Sequence, residues 1–314
     1  MKEDNIAFGP VPSRRLGQSL GINNIPPKIC SYSCVYCQVG RTLRMQMERT
    51  SFYQPGVVAA AVRRKVNDLL ARGEQIDYLT FVPDGEPTLD INLGQEIELV
   101  KDLGIKVGVI TNSSLIWRED VRQELEKADW VSVKVDAVTL EAWKRTNRPH
   151  GGLRLEKILE GIKIFARSFE GKLVTETMLV KGINDSEKEL EKTAEFVSSL
   201  KCAFSYLSVP IRPPAEKWVL PPEEAAVTQA YQIFVDHGIQ TECLIGYEGS
   251  AFGFSGEVEE DLLSTTAVHP MREESVKELL DRAGVDWSVV RKLIEEKKLV
   301  EVEYKGHKFY LRKF

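Results

Sequence analysis

An α/β partial barrel is the fold class that this 314-residue sequence predicts, and three observations predict it. From Ser19 onward, short apolar segments alternate with amphipathic ones, the pattern of strand–helix units around a parallel sheet. The alternation supplies six strand candidates, at 19–22, 78–82, 105–111, 130–136, 173–180 and 204–211. A cysteine-bearing loop follows the first of these strands, at the carboxyl end where parallel α/β barrels place their ligands.

The helices in between follow from stripes of period 3.6. Val58, Val62, Val66 and Leu69 form one stripe, and Leu155, Ile158, Leu159, Ile162 and Phe165 form a second. Leu190, Ala194, Val197 and Leu200 form a third, opened by Ser186 and Glu189 at the spacing of a capping box. Pro221 and Pro222 precede a fourth, with Val227, Ala230, Tyr231 and Phe234 on one face. The fourth strand, WVSVKVDA, puts Val131, Val133 and Val135 on one face and Ser132, Lys134 and Asp136 on the other. A parallel strand covered on both sides should be apolar throughout, so this polar face is expected to look into a polar lumen. The tail reads differently: a helix over 273–283, a turn at Gly284, Val285 and Asp286, a helix over 287–296, and a hairpin of 298–304 and 307–312 around Lys305 and Gly306. Two domains are therefore expected, 1–263 and 264–314.

Composition bounds the function. The chain is 43% hydrophobic and 28% charged, with a net charge of −5, as for an ordinary globular enzyme. No apolar run approaches the ~20 residues of a membrane span, and the N-terminal residues contain no apolar signal segment. Five cysteines, an odd and low count, argue against a disulfide framework and for a reducing cytoplasmic setting. Cys202 and Cys243 lie in strand-like apolar contexts and read as core thiols. Residues 264–314 carry 11 Lys/Arg and 9 Asp/Glu, so the tail is +2 and the remainder −7, too mild a split to mark a nucleic-acid surface. The four histidines, His150, His237, His269 and His307, have no metal-ligand spacing.

The segment CSYSCVYC carries the chemistry. Cys30, Cys34 and Cys37 stand in C-x3-C-x2-C spacing, with Tyr36 before the third thiol. Thiolates are soft ligands that suit iron–sulfur clusters, zinc and Cu(I). Zinc usually takes four ligands from short paired spacings, and no fourth Cys or His lies nearby in the sequence. A [4Fe–4S] cluster normally takes four cysteines, so three would leave one iron for another ligand.

This motif resembles that of the radical S-adenosylmethionine (radical SAM) superfamily. The resemblance implies a partial (β/α)6 barrel of the TIM type and a [4Fe–4S] cluster on Cys30, Cys34 and Cys37. It further implies SAM on the fourth iron, and reductive cleavage to a 5′-deoxyadenosyl radical that abstracts hydrogen. Asp84-Gly85-Glu86-Pro87 resembles the superfamily's GGE-type motif, which holds the SAM amino group, with Asp84 where the first glycine usually stands. Glycine lets carbonyls approach an ammonium, and Glu86 supplies a carboxylate. Tyr36, Asn112, Ser113 and Glu176 are further candidate contacts to SAM at the barrel mouth, Glu176 being equally readable as a strand-edge acid. Lys134 and Asp136 are the candidates for the SAM carboxylate and ribose or for catalysis. They resemble the acid and lysine of glycyl-radical activating enzymes, in reversed order, and an internal salt bridge reads equally well. Arg212 could meet an anionic substrate or be a surface arginine, Arg14 and Arg15 read as structural or functional, and the loop 246–256 could be a lid or a substrate loop.

The segments PSRRLGQSLGIN and QVGRT resemble a small radical SAM subgroup often grouped with the tRNA wyosine synthases. The chain has no cysteine before Cys30 for a second cluster, so the wyosine reaction is not transferred. The tail resembles a winged-helix module and points to a macromolecular substrate, RNA or protein, with a small molecule as the alternative. A low-potential donor of the ferredoxin or flavodoxin type is implied, and no membrane. A glycyl-radical activase is the second reading. An iron–sulfur redox-sensing DNA-binding regulator is a third, which leaves the barrel unexplained. The tail supplies no cysteine and none of the matched motifs, so a fragment over 8–265 is expected to keep its cluster.

Overall fold

The computed structural model describes residues 6–246 and 249–313. The extreme termini of the two expected domains, and Tyr247 and Glu248 of the 246–256 loop, lie outside the described residues. Its centre is an eight-stranded sheet curled into a half-barrel. Two antiparallel strands, β1 (Ala7–Ser13) and β2 (Gly17–Ile22), begin it. The short parallel pair β3 (Ile29–Cys30) and β4 (Arg44–Met45) brackets the cysteine loop outside that sheet. Then come β5 (Tyr78–Phe81), β6 (Lys106–Thr111), β7 (Trp130–Lys134), β8 (Lys172–Met178), β9 (Phe204–Ser208) and β10 (Thr241–Leu244). The order is β1-β2-β5-β6-β7-β8-β9-β10, and every pairing after the first is parallel.

The six expected strands are all present in this sheet, and two of its strands were missed. β1 reads AFGPVPS, and its two prolines and a glycine argue against a strand except at a sheet edge, which is where it lies. β10 is four residues long and mostly half-exposed, too short for a periodic signal.

Helices α1 (Pro55–Ala71), α2 (Leu93–Lys101), α3 (Glu119–Leu125), α4 (Leu140–Asn147), α5 (Leu155–Ser168), α6 (Glu187–Ser199) and α7 (Glu224–Asp236) connect the strands. On α5, Leu155, Ile158, Ile162 and Phe165 are buried, worth about 6–12 kcal/mol gross at about 1.5–3 kcal/mol each. Two expectations fail locally. Ser186 caps α6 without a side-chain bond, and the Glu189 carboxylate accepts from Thr139 Oγ1 at 2.5 Å instead of reaching back. On α7, Val227, Ala230 and Phe234 are buried, but Tyr231 is exposed. No helix among the described residues is long and apolar enough to cross a membrane.

The expected helix, turn, helix and hairpin occur in that order, preceded by a helix and a short strand that were not expected. Helix α8 (Val258–Val268), β11 (Met271–Arg272), α9 (Glu273–Ala283), α10 (Ser288–Glu295) and the hairpin β12 (Leu299–Tyr304) with β13 (His307–Arg312) form the tail. The boundary expected between 263 and 264 falls inside α8. The tail's apolar face also does not close on itself: Phe8 and Val11 of β1 join Phe252, Leu262, Met271, Leu279 and Tyr310 in one core. A buried ion pair, Lys65 to Asp261 at 2.5 Å, ties α1 to α8. The described part of the 246–256 loop belongs to this packing and not to a lid: Phe252 is buried, and Gly253 N donates to Pro10 O at 2.7 Å.

Candidate cofactor site

The cysteine loop is held on every side by backbone bonds. Ser33 N donates to Asn147 O at 3.0 Å, Val35 N to Thr146 O at 2.9 Å, and Glu216 N to Val35 O at 3.1 Å. Lys28 Nζ donates to Val39 O at 2.5 Å. Val35 packs with Val180, Ile183 and Val219. The three thiols are free and line one cavity of about 310 Å³. Two asparagines donate to their sulfurs: Asn112 Nδ2 to Cys30 Sγ at 3.4 Å and Asn147 Nδ2 to Cys34 Sγ at 3.5 Å. Burial, then neighbouring anions, pushes the Cys34 thiol up to about 12 and Cys30 well above its ordinary value. Three thiolates would repel one another here unless a strongly cationic centre lay between them.

The Asp84-Gly85-Glu86 turn after β5 braces that loop. Lys28 N donates to Asp84 O at 2.6 Å, and Glu86 N to Ile29 O at 3.2 Å. Gly85 has φ +157°, and a Cβ there would lie 2.0 Å from Ile29 O, so only glycine permits the contact beside Cys30. The carboxylates have opposite circumstances. Glu86 is saturated: it accepts from Thr88 N at 3.1 Å, Thr88 Oγ1 at 2.6 Å, Thr111 Oγ1 at 2.6 Å and Asn112 N at 2.7 Å. Asp84 is fully buried, and neither of its oxygens has a hydrogen-bond partner. Burial pushes its pKa up to about 7 against the pull of Lys28.

Across the cavity, Glu176 on β8 pairs with Lys134 on β7 at 2.8 Å and with Arg15. Ser208 Oγ donates to it at 3.1 Å. Burial disfavours its charge, but Lys134 and Arg15 outweigh that and hold its pKa well below the carboxylate range. The Lys134 ammonium sits 5.2 Å from the centre of the Tyr36 ring, and the Tyr36 hydroxyl donates to Asp136.

Most of the expected site residues line the cavity: Cys30, Cys34, Tyr36 and Cys37 from the loop, Asp84, Gly85 and Glu86 from the turn, and Asn112, Lys134, Glu176 and Arg212 from the strand ends. Three do not. Asp136 follows the end of β7 and turns away, accepting from Asn147 Nδ2 at 2.7 Å and Met178 N at 2.9 Å. Ser113 is buried with its backbone N bonded to Thr111 Oγ1 at 3.0 Å. Pro87 begins the buried turn Pro87–Leu89.

Arg15, Lys28, Gln38, Ser208, Val268 and His269 also line the cavity and were not expected there. Arg15 carries a signal, since it lies in the PSRRLGQS segment already singled out. Its neighbour Arg14 donates to Gly246 O at 3.1 Å, fastening the β1–β2 turn to the chain beyond β10. Val268 and His269 come from the tail. Gln38, next to Cys37, donates to Val268 O at 3.0 Å, and Arg212 meets both Gln38 Oε1 at 3.1 Å and His269 Nε2 at 3.0 Å. Burial first, and Arg212 second, holds His269 well below its ordinary pKa, so it stands neutral.

The donor set fits a polynuclear iron–sulfur group with SAM. Among the described residues, no group of three or more His, Cys, Asp or Glu is arranged to hold a metal ion. The three soft thiolates instead border a space large enough for a cluster, and Asp84, with neither oxygen hydrogen-bonded and only the pull of Lys28 against its burial, can accept a cationic group.

The comparisons agree with that fit. The sequence pattern of the Radical SAM superfamily, whose enzymes use a [4Fe–4S] cluster and SAM, matches residues 24–197. The UPF0026 protein MJ1312 of Methanocaldococcus jannaschii is 50% identical over 309 residues, covering 98% of this chain and 96% of that protein. A radical SAM methyltransferase from Sphaerobacter thermophilus shares the fold at TM-score 0.57 and 16% identity, over 74% of this chain and 69% of that one. TYW1 with a lysine–pyruvate adduct bound does so at TM-score 0.54 and 17% identity, over 71% and 75%. The half-barrel, the three-cysteine loop and these matches together establish that the chain belongs to the radical SAM superfamily, among its UPF0026 proteins.

Proposed function

We propose that this enzyme cleaves SAM reductively and abstracts hydrogen from a substrate group held in the 310 Å³ cavity. The observation that carries the reading is the meeting of three free thiols and a buried Asp84, neither oxygen of which is hydrogen-bonded, on one cavity at the carboxyl ends of parallel strands. Bound there, the cluster and SAM supply reductive cleavage to methionine and a 5′-deoxyadenosyl radical. The chain's own residues bind and orient. Cys30, Cys34 and Cys37 hold the cluster, while Asn112 and Asn147 donate to two of the sulfurs, a contact that tunes a cluster's potential. Asp84 takes the SAM amino group. Glu86 holds Asn112 and the Thr88 turn in place and is a positioning residue. Lys134 and Arg15 share one carboxylate and so favour an anionic group, on SAM or on the substrate.

The substrate is proposed to be a group on RNA or protein that enters the cavity beside the tail. His269 and Val268 at the wall support a role for the tail in substrate contact. The glycyl-radical activase and regulator readings are not favoured, and the regulator leaves a built cavity without use. Five free cysteines favour a reducing compartment, the cytoplasm. The experiment is anaerobic incubation of reconstituted protein with SAM and dithionite, alone and with RNA, protein or small-molecule fractions of a cell extract. One fraction is expected to raise 5′-deoxyadenosine. None formed under any condition would refute the reading.

A further inference from the structure

Asp136 is buried behind the cysteine loop and does not line the large cavity. The Tyr36 hydroxyl donates to its Oδ2, Asn147 Nδ2 donates to the same oxygen at 2.7 Å, and Met178 N donates to its Oδ1 at 2.9 Å. Partners that all donate are the pattern of an ionised carboxylate. Asn147 stands between this charge and a thiol, because its Nδ2 also donates to Cys34 Sγ at 3.5 Å. A side-chain amide has two N–H bonds, so the one held by Asp136 fixes where the other points. Asn147 ends α4, and its carbonyl accepts from Ser33 N at 3.0 Å, so its backbone is fastened to the loop as well. Only a cavity of about 10 Å³, room for about one water, adjoins Asp136, Asn147 and Lys134. Bulk solvent therefore screens the charge of Asp136 little. The ammonium of Lys134 pairs with Glu176 instead.

We propose that Asp136 tunes the reduction potential of the cluster: its charge holds the potential low, and its Oδ2 aims the Asn147 amide at the Cys34 sulfur. The proposal rests on the function proposed above, which places a cluster on Cys34. It makes Asp136 a positioning residue that acts through Asn147 and through its field, without touching SAM. The two residues work in opposite senses. A buried negative charge opposes the arrival of an electron, whereas an N–H aimed at a cluster sulfur favours it. In a redox titration, dithionite supplies one electron to the oxidised cluster, and no bond forms or breaks.

Asp136→Asn keeps the size of the side chain and an acceptor for Met178 N but removes the charge. Asn147→Ala keeps the charge but removes the donor to Cys34. Reconstituted wild type and both variants are titrated anaerobically without SAM, following the spin-resonance signal of the reduced cluster. Asp136→Asn should raise the potential by at least about 59 mV, a tenfold easier reduction for one electron, because the lost charge outweighs the single N–H that it aims. Asn147→Ala should lower the potential. Looser packing around the loop would move both variants in one direction, so opposite shifts are a readout that a merely structural role does not give. An unchanged or lowered potential in Asp136→Asn, an unchanged or raised one in Asn147→Ala, or either variant holding no iron overturns the assignment. A wild-type cluster that cleaves no SAM with dithionite refutes the proposed function alone, since the potentials are read without SAM. Wild type that holds no cluster refutes both.

Discussion

Asp84→Asn should stabilise the iron-free protein and weaken its hold on SAM once reconstituted. The carboxylate is fully buried, neither oxygen is bonded, and its pKa rises from 3.8 to about 7, chiefly through burial. The folded state therefore keeps this proton longer than the unfolded chain does. No penalty exists below pH 3.8; it grows by about 1.4 kcal/mol per pH unit above that, and it is complete above pH 7. Across the roughly three pH units between, the folded protein loses about 4 kcal/mol. Asparagine removes that loss but buries an amide, at about 1–3 kcal/mol. The net is a gain of about 1–3 kcal/mol at pH 8 and a loss of about 1–3 kcal/mol at pH 4. Urea unfolding of iron-free wild type and variant at both pH values measures it. In reconstituted protein the variant should bind SAM about 10- to 100-fold more weakly, the worth of one charge-assisted hydrogen bond. An equal stability difference at both pH values, or an unchanged SAM affinity, would refute the reasoning.

The other substitutions follow from what each group holds. Glu86→Ala strands the buried N–H of Thr88 and the part-buried N–H of Asn112. It should cost about 2–6 kcal/mol, seen as a lower unfolding midpoint in iron-free protein; an unchanged midpoint would return Glu86 to a role on SAM alone. Glu176→Gln leaves Lys134 and Arg15 facing each other at a cost of about 3–5 kcal/mol. Because the folded pKa of Glu176 is depressed, the gap from wild type should be full above about pH 5 and narrow as pH falls below 4; a gap constant from pH 7 to pH 3 argues against it. The fragment 8–265 should not fold stably. It strips partners from Phe8, Val11, Phe252 and Leu262, about 6–12 kcal/mol of burial, comparable to a whole domain's stability. A protease-resistant fragment that retains iron would contradict this.

Legibility in the sequence stops where distant segments meet. Cys30, Cys34, Tyr36 and Cys37 are contiguous, and so is the Asp84 turn, so the site's location could be read directly. The division of labour between Asp84 and Glu86 could not. It depends on Thr111 and Asn112, which arrive from the end of β6 to saturate one carboxylate and leave the other bare. Alternation along β7 placed Asp136 beside Lys134 in the lumen, but the strand ends at Lys134, and the chain beyond it follows its own turns. The tail's helices and hairpin were legible in the sequence. That they would close on Phe8 and Val11, in a strand masked by its prolines, was not.

The central claim is that three thiolates hold a cluster with one iron left for SAM. Electron spin resonance of the anaerobically reduced, reconstituted protein tests it most directly, with and without SAM, in wild type and Cys34→Ser. Wild type should carry about four irons and four sulfides, and SAM should change its signal; the variant should lose both cluster and response. A wild-type signal indifferent to SAM, or a SAM-responsive cluster that survives without Cys34, would contradict the account.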